Sequence, residues 1–145
     1  MDTTIINIIT PTPEPVEVGV VQLEEKVEGS FNFVIDGGNS VITTGLKGFI
    51  EWGFAAQIMG WTIMADVVGS IVVDVWKDSY ANFAPTVADS ITGSEKPTLS
   101  SAQKNQDLSL TSFSTMVAKG DIWAFNVDSV SAIKRVTIAF RFNRV

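Results

Sequence analysis

The segment GWTIMADVVGSIVVDVWKD, residues 60–78, constrains the fold more than any other part of the chain. Its valine, isoleucine and tryptophan suit a pleated surface, whereas β-branched side chains lose rotamer freedom in a helix. Gly69 and Ser70 fall in its middle, so the pattern predicts a buried hairpin with a Gly-Ser turn. In the first run Trp61, Ile63 and Ala65 share one parity, and Thr62, Met64 and Asp66 the other. In the second, Ile71, Val73, Val75 and Lys77 alternate with Val72, Asp74 and Trp76. That second run is apolar on nearly both faces, which predicts a central strand whose backbone groups are satisfied from either side.

The flanking sequence continues the pattern. SFNFVIDGG puts Phe31, Phe33 and Ile35 on one strand face and ends in a Gly37-Gly38 turn, with Asp36 and Asn39 available to stabilise it. VITTGLKGFIEWGF supplies apolar area punctuated by glycines that admit bends or bulges. Residues 78–113 are polar and weakly periodic and read as a structured loop. In it Ile91 and Leu99 plug the domain, Tyr80 and Phe83 serve as anchors, and residues 100–104 make one helical turn. Alternation then resumes: a strand led by Leu108 and Leu110, a turn at Lys119, Gly120 and Asp121, a strand around Trp123, a break over residues 128–131, and a last strand around Ile138. The expected architecture is all-β: an antiparallel β-sandwich with jelly-roll-like topology over residues 30–145, preceded by an extended N-terminal arm over residues 1–29.

Composition excludes several kinds of chemistry. The chain has no histidine and no cysteine, which removes cysteine nucleophiles, histidine bases, thiol redox pairs, and zinc sites built on sulfur or imidazole. No disulfide braces the fold, so a hydrophobic core or partner subunits must supply its stability. Ten basic against sixteen acidic residues give a net charge of -6, the wrong sign for tracking phosphates, so no nucleic-acid partner is expected. Lys134 and Arg135, with Arg141 and Arg144, make at most a local basic patch of edge-strand charges or subunit contacts. The apolar runs are too short for a membrane span, and MDTTIINIIT lacks the basic start and unbroken apolar core of a secretory signal.

The arm has its own character. Ile5, Ile6, Ile8 and Ile9 are followed at once by Pro11, Pro13 and Pro15. The prolines favour an extended spacer over a helix, and the isoleucines are too apolar for a freely solvated tail. They either dock on another subunit or larger assembly, or add a strand to their own domain. Strand addition on a neighbour would convert open edge groups into intermolecular hydrogen bonds.

Asp36, Asp66, Asp74, Asp78, Asp89, Asp107, Asp121 and Asp128 raise a carboxylate-enzyme or calcium reading, but their spacing matches no compact ligand motif. No catalytic residue, metal or cofactor is assigned, and the chain reads as a non-enzyme. DVWKDSYANF is the best binding candidate. Trp76 and Tyr80 can stack on a sugar while Asp74, Lys77 or Asn82 supply polar contacts, with Phe83 beside them. The same residues equally suit core or subunit packing.

The stretches FVIDGGNSVITTGLKG, GWTIMADVVGSIVVDVWKDSYANFAPTVADSITGSEKPTLSSAQK and KGDIWAFNVDS carry a resemblance. Together they resemble a β-sandwich domain found in tailed-bacteriophage tail and fibre proteins and in small capsid-associated proteins. The resemblance implies a virion structural protein that works through oligomerisation, as a homotrimer, and it brings no catalytic motif. A long fibre would carry an extended shaft ahead of such a domain, whereas the arm here is short. The expected role is therefore a decoration or cement protein on the outer capsid surface, bound to the major capsid protein. The alternative is a tail-fibre module that recognises a host surface glycan.

Overall fold

The computed structural model describes residues 26–145, which form seven antiparallel strands and no α-helix. The strands are β1 (Glu28–Asp36), β2 (Gly45–Glu51), β3 (Ala56–Asp78), β4 (Thr98–Asp107), β5 (Met116–Val117), β6 (Ile122–Ser131) and β7 (Arg135–Arg144). They form one sheet in the order β1-β7-β3-β6-β2, with β4 and β5 also on β3, and the sheet curls into a half-barrel. The all-β, antiparallel character expected from alternation is thus present.

The organising element is β3, and it departs from the sequence expectation. Gly69 and Ser70 do not turn the chain back; they lie inside one continuous strand of 23 residues. The first half of β3 pairs with β7, from Ala56 opposite Arg144 to Ala65 opposite Val136. Its second half pairs with β6, from Ser70 opposite Ser131 to Asp78 opposite Ile122. The strand bends where it changes partner. There Asp66 Oδ1 accepts the backbone N–H groups of Lys134 and Arg135 at 3.2 Å each, tying the β6-β7 turn to the bend. A Cβ on Gly69 would lie 2.6 Å from the Ser131 carbonyl oxygen, so the glycine serves close approach of the two backbones.

Parity sorts the core as alternation requires. Trp61, Ile63, Ile71, Val73 and Val75 of β3 are buried together with Trp123, Phe125 and Phe140, whereas Met64 on the other face is exposed; the parity lapses at Val67 and Val68, both exposed where the strand changes partner. From β1, Phe33 stacks on Phe125 with ring centroids 3.8 Å apart, and Phe31 meets Trp52 edge-on at 5.2 Å. Phe33 also passes over Gly48 of β2, where a Cβ would lie 3.1 Å from its ring. These contacts bring the two ends of the sheet face to face around an aromatic core.

Other differences follow from tertiary pairing. Residues 100–104 make no helical turn; they belong to β4, which pairs with β3 from Trp61 opposite Asp107 to Val72 opposite Thr98. The pairing is broken by bulges, and Ser101 sits at one of them with φ 49°, its N–H donated to Ser70 Oγ. This bulged, polar strand hides its period from a sequence pattern. Leu108 and Leu110 lead no strand; the next ladder contact comes at Met116. Residues 128–131 do not interrupt the chain either, since β6 runs to Ser131 and the turn comes at residues 132–134. The turns at Gly37-Gly38 and at Lys119-Gly120 are as expected, and Asp36 Oδ1 accepts the Gly38 N–H at 2.8 Å. Ile91 and Leu99 are buried as plugs.

Candidate functional site

The candidate segment from Asp74 to Phe83 separates into two environments at the end of β3. Asp74 is 1% exposed, although its neighbours Val73 and Val75 fill the core on the opposite face. It is a buried carboxylate with a full set of partners. Oδ1 accepts from Ser90 Oγ at 2.7 Å, Thr92 Oγ1 at 2.7 Å and the Val75 N–H at 2.9 Å. Oδ2 accepts from Trp76 Nε1 at 3.0 Å, with Lys96 Nζ 3.7 Å away. Lys96 is anchored in turn on Asp128 Oδ2 at 2.8 Å. Burial pushes the Asp74 pKa up, but the donors Ser90, Thr92 and Trp76 together with the Lys96 charge outweigh it and hold the carboxyl below its ordinary value. Hydrogen bonding to Asp128 raises the Lys96 pKa. A low-pKa acid and a high-pKa amine, each committed to fixed partners, hold charge in place and are poorly suited to moving protons.

This network fastens the loop after β3 along the edge of that strand opposite to β6. Trp76 and Ser90 form a bridge, and the Ile91 N–H donates to the Val75 carbonyl at 2.9 Å. Glu95 then clamps the following segment. Its carboxylate accepts the backbone N–H groups of Thr111, Ser112 and Phe113 at 2.6 to 2.9 Å. Desolvation pushes its pKa up, but the three amides and the Ser112 hydroxyl overcome this and bring it down to about 2. Asp74 and the Trp76 Nε1–H therefore belong to a structural pin, with Asp74 buried and the Trp76 ring half-buried. Lys77 is also engaged, its Nζ donating to the Met116 carbonyl at 2.8 Å and lying 3.7 Å from Asp121.

The second environment is open. Tyr80 is 79% and Phe83 55% exposed, so neither anchors the loop to the core as the sequence suggested. A 3-10 turn, Tyr80–Asn82, presents them, and Asn82 Nδ2 donates to Asp78 Oδ1 at 3.1 Å. Phe83 packs at a tilt on Phe49 of β2 with centroids 4.8 Å apart. Phe49, Ile50, Tyr80, Phe83 and Ile122, with Glu51, line a depression of about 300 Å³. Sequence reasoning missed the contribution of β2, because Phe49 reads as one of several core candidates. Its side of the strand, outward beside Glu51 and opposite to Ile50, was the available signal.

Among the described residues, no three acidic side chains come together to hold a metal ion, and no helix is long and apolar enough to cross a membrane. The arm positions Ile5, Ile6, Ile8, Ile9, Pro11, Pro13 and Pro15 lie outside the described residues. No family model matches the chain, and neither the curated proteins nor the solved structures include a match.

Proposed function

We propose that this chain is a non-enzymatic structural protein of a tailed-bacteriophage particle. It binds the outer capsid surface as a decoration or cement protein, and its curled sheet serves as a jelly-roll-like sandwich. The reading starts from the sequence resemblance and is supported most by one observation. Among the described residues β1 is an edge strand bonded to β7 alone, and in the sequence it follows a segment rich in isoleucine and proline. An uncovered edge and an adjoining apolar arm are the parts a building block needs to add strands to its neighbours. Copies associate as a homotrimer, and the trimer contacts the major capsid protein. Contacts spread over the head stabilise the closed particle through binding linkage, with no chemical cycle.

The exposed Tyr80, Phe83 and Phe49 favour a second reading, in which the module sits on the tail or a fibre and stacks these rings on a host surface glycan. Cryo-electron microscopy of intact particles separates the two. The first reading expects density repeated over the capsid, and particles stripped of the protein open at lower temperature. Density confined to the tail, or stripped heads of unchanged heat stability, would sink the cementing role. Saturable glycan binding lost in Tyr80→Ala would then carry the second reading.

A further inference from the structure

Among the described residues the half-barrel is open along one side, where β1 and β2 each have no second strand beside them. The two edges are not equally protected. β2 is bulged between Leu46 and Gly48, carries Lys47 and ends in Glu51, all devices that discourage pairing. β1 keeps register with β7 through nine successive residues without a bulge, and its central residues 29–35 carry no charge. Such an edge is a template for another strand.

Beside it, at the mouth of the half-barrel, lies a groove of about 470 Å³ formed by Phe31, Ile50, Trp52, Phe54 and Phe142. Trp52 is 4% exposed, and its Nε1–H, like that of the core residue Trp123, has no acceptor among the described residues; of the two, Trp52 alone lines the groove. A buried donor without a partner calls for explanation in a well-packed protein. A free strand edge, an apolar groove and an unpaired donor together fit an extended apolar peptide whose backbone carbonyls can accept.

The chain carries such a peptide in residues 5–9, where four isoleucines flank one asparagine. The described residues begin beside the groove: the Arg144 N–H donates to the Val27 carbonyl at 2.8 Å, and Ser30 and Phe31 line the groove itself. We propose that the groove between β1 and β2 of one copy accepts residues 5–9 of a second copy, added as a strand to the free edge of β1, with a backbone carbonyl accepting the Trp52 Nε1–H. A second copy is favoured over the same chain because alternate prolines at 11, 13 and 15 favour an extended spacer, at about 3.1 Å per residue, over a compact fold-back. A spacer of that kind would direct the isoleucines away from their own point of entry. The proposal rests on the reading that the arm joins copies, and it supplies the acceptor site.

The absence of cysteine makes disulfide trapping free of background. Gly53 borders the groove, is exposed, and has room for a side chain. Full-length Ile8→Cys and Gly53→Cys chains, mixed and oxidised, are expected to give a linked pair joined at positions 8 and 53. Ile8→Cys mixed with Tyr80→Cys should give roughly tenfold less, as expected when no docking raises the effective concentration. In the double variant I8C/G53C the expected product is a ladder of linked chains. A monomer bridged within itself would overturn docking by a second copy, and failure to link 8 with 53 would overturn the site. Replacing all four isoleucines with serine in the full chain should leave the domain folded, convert the oligomer to monomer and shift the Trp52 indole proton resonance. A Trp52 signal unmoved by that change would also overturn the site. Linkage in the purified protein is independent of position on a particle. The acceptor site can therefore stand when the capsid reading fails, and fail when it stands.

Discussion

Asp74 reads as a polar ligand contact in the sequence and is a fully paired structural carboxylate in the fold. A carboxylate between two valines on a central strand has to be either exposed or fully paired, because burying it alone is prohibitive. Here Ser90, Thr92, Trp76 and Lys96 pair it. Asp74→Ala should therefore lower the unfolding free energy by about 3 kcal/mol, chiefly because the buried Thr92 hydroxyl and the Trp76 indole lose their acceptor. Asp74→Asn keeps the shape but turns a donor toward donors, and should cost roughly half as much. Urea unfolding at neutral pH measures both, and a loss below about 1 kcal/mol for the alanine variant would contradict the pin. Asp74 and Trp76 were legible as members of one site, since they are two residues apart on a strand. The partners at 90, 92 and 96 were not, because a sequence has no signal for which loop folds back over a strand.

Two elements, the bend of β3 and the loop held by Glu95, carry predictions of opposite kinds. Gly69 sits where Ser131 crosses at contact distance, so Gly69→Ala forces backbone apart and should cost about 1 to 3 kcal/mol, although alanine forms strands more readily than glycine. A neutral or stabilising effect in thermal unfolding would mean that the bend is not packed in this way. At Glu95 the pKa is depressed in the fold, from an ordinary 4.5 to about 2. Its contribution is fully present above pH 4.5 and disappears as the pH falls through about 2. Asp74 is depressed also, so its contribution is lost in the same direction on acidification. The urea midpoint should fall between pH 4.5 and 2, and Glu95→Gln should flatten that slope. An identical acid slope in the variant would refute the clamp. β1 and β7 were readable from alternation, because one more deeply buried face imposes period two on them, whereas β6, buried on both faces over Ile122–Phe125, was readable from its apolar, aromatic run. β3 misled because a glycine and a serine between two apolar runs signal a hairpin, and only the change of partner from β7 to β6 reveals a bend. β4 was hidden because its bulged, polar residues carry no period.

For the molecule as a whole, topology sets the order in which stability can be gained. β1 near the start of the described chain pairs with β7 at its end, Glu28 opposite Asn143, and β3 waits for partners that follow it in β4, β6 and β7. Almost every ladder therefore closes a long loop before its contacts form, which predicts refolding in milliseconds to seconds and excludes microseconds. The same wiring grades local stability. The middle of β3 is bonded on both edges, whereas among the described residues β1 is bonded on one edge, to β7, and held besides by its phenylalanines. Backbone amides of Ile63 and Ile71, buried in that middle, should exchange only through global unfolding, and the outward amides of β1 should exchange orders of magnitude faster in an isolated copy. Hydrogen exchange followed against protein concentration turns this into a test of assembly. If copies add strands at β1, protection there must rise with concentration while that of Ile63 and Ile71 stays at its ceiling. Protection at β1 that is already high in dilute protein, and unchanged on concentration, would mean that the edge is covered within each chain.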